Sequence, residues 1–209
     1  MNREKNILLR IADVDFSIRW SQPPLTGLRG SYFNEFICKK NSRPAKMRGH
    51  TTVMRVRCVK PADVLEPIGL RKVMSVGRLW SLYRDSGHYY LRVFDPARKR
   101  VLSKAKISLD LRNIDYCFLA PDYMGTRIDN RDTKDYWLLP RLANPLIKYL
   151  LINVLGQEGG CLAHAAGIKI KDTALAFVGP SESGKSTMAG FFSVCQDALV
   201  LTDENLAIR

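Results

Sequence analysis

The chain has 209 residues, 46% hydrophobic and 25% charged, which is enough to bury a core in one large domain or two small ones. No apolar run approaches the length of a membrane span, and Ile7-Leu8-Leu9 behind Met1–Asn6 is too brief for a signal segment, so a membrane partner is not expected. The net charge of +13 is lopsided: residues 1–150 hold 29 Lys/Arg against 14 Asp/Glu (+15), and residues 151–209 hold 4 against 6 (−2), which divides the chain into two functional halves.

In chain order, residues 1–60 read as strands and loops. Phe16-Ser17-Ile18-Arg19-Trp20 alternates as a half-buried strand, and Ser21-Gln22-Pro23-Pro24 ends it. Residues 39–48 are polar, basic and broken by Pro44, which predicts an exposed loop. Met54, Val56 and Cys58 then alternate with Arg55 and Arg57 in a strand with one wet face. Residues 79–109 predict a β-meander: Leu79–Arg84, a turn at Asp85-Ser86-Gly87, Tyr89–Phe94, a basic turn at residues 95–100, and Val101–Leu109. In its third strand Ala105, Ile107 and Leu109 share one face, and Lys104, Lys106 and Ser108 the other. The basic half either meets an acidic partner or presents a solvated surface. With no RNP-type or helix-turn-helix pattern, a nucleic-acid partner is not expected.

After a turn-rich section, residues 121–135, Asn144-Pro145 predicts a helix start, with Asn as N-cap and Pro at the first helical position. Leu146, Ile147, Leu150, Leu151, Val154 and Leu155 recur at helical spacing, and Gly156 is the expected stop. Cys161–Ala166 predicts a strand followed by Gly167–Ile170, and Lys171-Asp172 leads back into the apolar strand Ala174–Val178. The approach is therefore through antiparallel hairpins, not through the helical crossover of a parallel βαβ unit. Five cysteines (Cys38, Cys58, Cys117, Cys161 and Cys195) form no C-x-x-C pair, and their odd number points to reduced thiols in a cytoplasm.

Gly179-Pro180-Ser181-Glu182-Ser183-Gly184-Lys185-Ser186, followed by Thr187, fits the phosphate-loop pattern G-x-x-x-x-G-K-[ST] at every fixed position, with an apolar strand before it and a helical run, Met188–Phe192, after it. Two glycines let backbone N–H groups turn inward toward phosphate oxygens, Lys185 supplies a point charge, Ser186 offers a hydroxyl to Mg²⁺, and the helix dipole adds positive potential. Glu182 within the loop is expected to point to solvent. Beyond the helix, Ala198–Thr202 reads as a buried strand that ends in Asp203-Glu204. A carboxylate there either holds Mg²⁺ or accepts a proton from an acceptor hydroxyl. His164, in a strand of small and apolar residues, is either a hydrogen-bonded core residue or a contact to phosphate or acceptor.

Three stretches, Leu162–Gly167, Ala176–Thr187 and Leu201–Glu204, together resemble the catalytic core of HPr kinase/phosphorylase-like proteins, over about residues 141–209. The resemblance implies a phosphoenolpyruvate-carboxykinase-like P-loop fold and ATP-dependent phosphorylation of a hydroxyl, often a serine of a protein or peptide. By motif position, Lys185 would bind phosphate, Ser186 would bind Mg²⁺, Asp203 would be the catalytic base and His164 would line the phosphate site. The family's usual Asp-Asp reads Asp203-Glu204 here. In relatives further strands, another metal-binding carboxylate and basic residues follow, so a chain ending at Arg209 implies a C-terminally truncated core.

The expectation is therefore an α+β or α/β chain: a basic, β-rich N-terminal domain, residues 1–140, and a P-loop nucleotide-binding segment, residues 141–209. Residues 179–187 would hold ATP, Ser186, Asp203 and Glu204 would hold Mg²⁺, and Asp203, His164 and Lys185 would be catalytic. The expected activity is that of a serine-type kinase acting on a protein or peptide acceptor. The alternative is a non-catalytic nucleotide-binding regulatory module whose basic half binds a partner. The sequence leaves a homo-oligomer open.

Overall fold

The structure, a computed structural model, describes residues 5–20, 38, 50–59, 69–95, 100–119 and 142–209. The loops expected at residues 39–48 and 121–135 lie outside these. The chain is β-rich with a large mixed sheet, an α+β arrangement at the coarse level. It divides into two compact units, Met1–Leu150 and Leu151–Arg209. The boundary expected at residues 140/141 lies ten residues upstream of that division.

The first unit is built on one eight-stranded sheet. Its strands are β1 (Lys5–Ile11), β2 (Val14–Trp20), β3 (Thr51–Val59), β4 (Arg71–Val76), β5 (Trp80–Arg84), β6 (His88–Asp95), β7 (Arg100–Ser108) and β8 (Asn113–Leu119), in the order β1-β2-β3-β8-β7-β6-β5-β4. β1 and β2 form a hairpin whose two loop residues, Ala12 and Asp13, both take left-handed φ (50° and 57°), the backbone that matches the twist of the flanking strands. β2–β3 and β3–β8 are parallel, and the remaining pairs are antiparallel. The expected meander is β5-β6-β7, extended by β4 and β8 at its two ends.

Phe16, Ile18, Met54, Leu91, Ile107, Ile114 and Tyr116 are fully buried and form the core of this sheet. Arg55 and Arg57 are exposed while Met54 and Val56 are buried, the alternation expected of β3. β2 departs from alternation, because Asp15 and Ser17 are buried as well. Asp15 is paired with Arg10 at 2.7 and 2.9 Å, and Ser17 donates to Asn6 at 3.2 Å, so polar groups enter the interior already partnered. Lys104, expected on the wet face of β7, is likewise buried, and Leu109 falls in a turn because the strand ends at Ser108.

The helix α1 spans Lys148–Gln157 and is preceded by a π-helical stretch, Leu142–Ile147, that contains Pro145. A regular α-helix does not start at Pro145 as expected; proline's missing N–H and its ring widen the turn. Leu146, Ile147, Leu150, Leu151, Val154 and Leu155 are all buried. The helix runs past Gly156 and ends at Gln157, two residues before Gly159, whose φ of +80° is left-handed. There Gly160 N–H bonds Leu155 O at 2.7 Å and Gly159 N–H bonds Gly156 O at 3.4 Å, which closes the helix end. Among the described residues no helix is long and apolar enough to cross a membrane.

The second unit holds β9 (Cys161–Ala163), β10 (Ala165–Ile170), β11 (Thr173–Val178), the helix α2 (Lys185–Ser193), β12 (Ala198–Thr202) and β13 (Leu206–Ile208). One sheet runs β11-β10-β12, all antiparallel, and the other pairs β13 with β9. The hairpin from β10 through Lys171-Asp172 into β11 is the antiparallel approach that the sequence implies. α2 packs on the sheet, with Ala189 buried and the Phe177 and Phe192 rings 6.0 Å apart.

Candidate functional site

The segment expected as one strand, Cys161–Ala166, is two strands broken at His164, and they belong to different sheets. The opposing chain breaks at the same level: β12 pairs with β10 up to Thr202, β13 pairs with β9 from Leu206, and Asp203-Glu204-Asn205 bridge the gap. The register between β10 and β12 shifts between Gly167 and Ile168, and a Cβ on Gly167 would lie 2.5 Å from Leu206 Cδ1, so this crossing is built around a glycine. Paired strands that both change sheet leave their connecting residues off the ladder. His164 and the acidic pair are thereby released from sheet pairing and turned outward.

Three hydrogen-bond arrangements hold this opening. His164 Nδ1 lies 2.8 Å from Glu204 O, and Ala165 N–H donates to the same carbonyl at 3.2 Å. A carbonyl only accepts, so Nδ1 carries the proton, and in the neutral ring Nε2 is left as the acceptor. Thr202 Oγ1 accepts from Glu204 N–H at 3.2 Å and Asn205 N–H at 3.3 Å, a side-chain-closed turn that fixes the acidic pair. Asn205 Nδ2 donates to Glu204 Oε2 at 3.4 Å.

Facing this opening is the turn between β11 and α2. Gly184 sits at the helix N-cap with φ +85°, and no side chain caps the helix there, which leaves the first-turn amides for another acceptor. Glu182 also takes a left-handed φ (+66°), an uncommon conformation for a residue with a Cβ. A Cβ on Gly179 would meet Ser183 Oγ at 2.5 Å, so the turn closes on itself only with glycine at that point. Lys185 is buried, and its Nζ donates to Gly179 O at 2.9 Å and Pro180 O at 2.6 Å, drawing the ammonium across the turn.

His164, Ser181, Glu182, Gly184, Lys185, Ser186, Thr187, Asp203 and Glu204 line one open cleft of about 500 Å³. That volume lies within the range of roughly 300–1,000 Å³ usual for small-molecule sites. Of the residues expected at the site, Gly179, Pro180 and Ser183 stand behind the lining, where the first two anchor Lys185 and the third packs on Gly179. His164 is exposed rather than a core residue, and Glu182 is exposed while bordering the cleft.

No protein-family model, curated protein or solved structure matches the chain.

The residues of the cleft suit a divalent cation bound together with phosphates better than a cation held by the protein alone. Among the described residues no three His, Cys, Asp or Glu side chains converge on one point. Mg²⁺ commonly takes only one or two carboxylates, with water and substrate phosphates filling the remaining positions. Ser186, Asp203 and Glu204 on one cleft match that donor set. Thr202 and Asn205 were not singled out from sequence. The readable signal for them is the order Thr-Asp-Glu-Asn, in which a hydroxyl lies two and three residues before the amides it binds.

Proposed function

We propose that the second unit is a P-loop nucleotide site of the phosphoenolpyruvate-carboxykinase-like type, acting as an HPr-kinase-like phosphotransferase on a serine-type hydroxyl of a protein or peptide. The observation that carries this reading is the single cleft that collects an uncapped helix N-terminus, Lys185, Ser186, His164 and the Asp203-Glu204 pair.

The amides at the start of α2 and the Lys185 ammonium bind and orient the polyphosphate of ATP. To do so Lys185 exchanges its bonds to Gly179 O and Pro180 O for phosphate oxygens. Ser186, with Asp203 or Glu204, would hold Mg²⁺, which supplies charge neutralisation between the phosphates when bound. Asp203 accepts the proton of the acceptor hydroxyl. The acceptor oxygen forms its bond to the γ-phosphorus as the bond to the bridging oxygen breaks, and ADP leaves with that electron pair. His164, held by Glu204 O, presents Nε2 to the phosphate side of the cleft. A cytoplasmic setting fits the free, exposed thiols of Cys161 and Cys195.

One observation favours the second reading, a nucleotide-binding regulatory module without turnover. Among the described residues Lys185 is the only lysine or arginine lining the cleft, against the carboxylates of Glu182, Asp203 and Glu204, so these residues offer little positive charge to a transition state.

Titration calorimetry with ATP and Mg²⁺ tests the site. Lys185→Ala is expected to weaken affinity by about tenfold to a hundredfold, the usual worth of a charge-assisted hydrogen bond. Transfer of γ-phosphate to serine peptides separates the two readings: Asp203→Ala lowers the rate by about a hundredfold or more if it is the base. ATP bound without transfer to any acceptor gives the regulatory module, and no lysine-dependent affinity removes both.

A further inference from the structure

We propose that the free edge of β4 is a docking site for an extended acidic polypeptide that adds a strand to the large sheet. β4 is the outermost strand and pairs only with β5 among the described residues. All six of its residues are exposed. The opposite edge differs, because Ile7 and Leu9 of β1 are buried and its Leu8 O accepts a bond from Cys38 N–H at 3.0 Å. An open strand edge offers unpaired backbone donors and acceptors to any chain that can match its side chains.

Two features specify the guest. Val73, Met74 and Val76 on the strand, and Leu79 in the turn behind it, are 42–53% exposed. Met74 stands opposite Leu82 and Val76 opposite Trp80, so they prolong the apolar face of the sheet past its last covered strand. A guest with apolar residues at alternate positions would bury them. The charge is one-sided as well: residues 69–84 contain Arg71, Lys72, Arg78 and Arg84 and no acid. Carboxylates on the guest would meet Arg71 and Lys72 at one end of the strand and Arg78 at the other.

The same cations argue against other occupants. Two copies paired antiparallel through β4 would bring Arg71 and Lys72 of one beside Arg78 of the other, and parallel pairing would set like on like. A nucleic acid would neutralise the charge and leave the apolar side chains uncovered. The nearest ring on the basic face, Tyr83, already carries the Arg92 guanidinium at 4.4 Å, so that face of the ring is not open for base stacking. This docking edge is independent of the cleft in the second unit.

Fluorescence anisotropy of a labelled, end-blocked octapeptide of alternating Glu and Val, against the full chain, tests the inference. The peptide is expected to bind, and its Lys–Val counterpart to bind at least about tenfold more weakly. Backbone N-methylation at one of the two alternating sets of residues is expected to abolish binding and at the other to leave it intact, because only one set faces β4. The double variant Arg71→Glu, Lys72→Glu, checked for native circular dichroism, is expected to lose the acidic peptide and gain the basic one. The proposal is overturned if the Glu–Val peptide does not bind, if both charge types bind alike, if neither methylated set matters, or if a uridine oligonucleotide displaces the peptide. Dimerisation of the free chain that the peptide cannot reverse would assign the edge to a second copy instead.

Discussion

The ε-ammonium of Lys185 is buried against two carbonyls of its own turn, and the His164 ring is tied to the carbonyl of Glu204. Both contacts are side chain to backbone, so each functional group is positioned by the chain path rather than by another side chain. For His164 this separates two roles. An asparagine at this position can donate from Nδ2 much as the ring donates from Nδ1, whereas alanine cannot. His164→Asn is therefore expected to keep the thermal stability of the native chain, and His164→Ala to lose about 1 kcal/mol, the usual net worth of one hydrogen bond. Both variants lack the Nε2 acceptor and should lose transfer activity together. Equal melting with equal activity across the three proteins would mean that the ring does neither job.

Among the elements, two turns of the large sheet hold carboxyls whose pKa is lowered. In the β5–β6 turn, Asp85 accepts from Tyr90 OH at 2.7 Å, Gly87 N–H at 2.8 Å and His88 N–H at 2.7 Å. The Tyr90 hydroxyl, then these amides, hold its carboxyl below the usual carboxylate range. In the β7–β8 turn Asp110 is held down by Ser108 first, then by Arg112 N–H at 3.0 Å, and there Leu111 adopts a left-handed φ of 60°. A carboxyl with a lowered folded-state pKa stabilises the fold above its unfolded value. That contribution disappears as the pH falls from about 4, the unfolded carboxylate value, through the lowered one. Urea unfolding between pH 7 and pH 2 should show stability dropping in that window, and Asp85→Asn with Asp110→Asn should flatten the drop. An unchanged acid slope in the double variant would show that these turns do not set it.

Across the whole molecule the two units differ in how they are stabilised. The first has a sheet core with fully buried Phe16, Met54, Ile107 and Tyr116, so Phe16→Ala should cost about 3–5 kcal/mol, measured by chemical unfolding. The second has few buried side chains, and Val178, Phe191, Val194 and Leu199 are each at least 60% exposed. With so little apolar burial of its own, it should gain most from a ligand. At a nucleotide concentration a hundred times the dissociation constant, linkage contributes about 2.7 kcal/mol. Hydrogen exchange with ATP and Mg²⁺ should slow across residues 161–206 and stay unchanged across 71–119. Protection spread evenly over both regions, or found in neither, would argue against a site confined to the second unit.

Local patterns were legible along the chain because they depend on neighbours in sequence. The alternation in β3, the meander, the apolar stripe of α1, the two-residue return into β11 and the strand-turn-helix around Lys185 all follow from residues within a few positions of one another. The pairing of distant segments was not legible. Nothing near β2, β3 or β8 states that they lie side by side in parallel. The motif around Lys185 and the acidic pair could be read separately. Their meeting in one cleft with His164 required two strands to leave their sheets at the same level, an event recorded in a glycine crossing and a threonine-closed turn, not in any local period. Chain-local preferences thus determined the parts. Long-range hydrogen bonding and packing, such as the bond between His164 and the Glu204 carbonyl forty residues along the chain, decided which of those parts share a site.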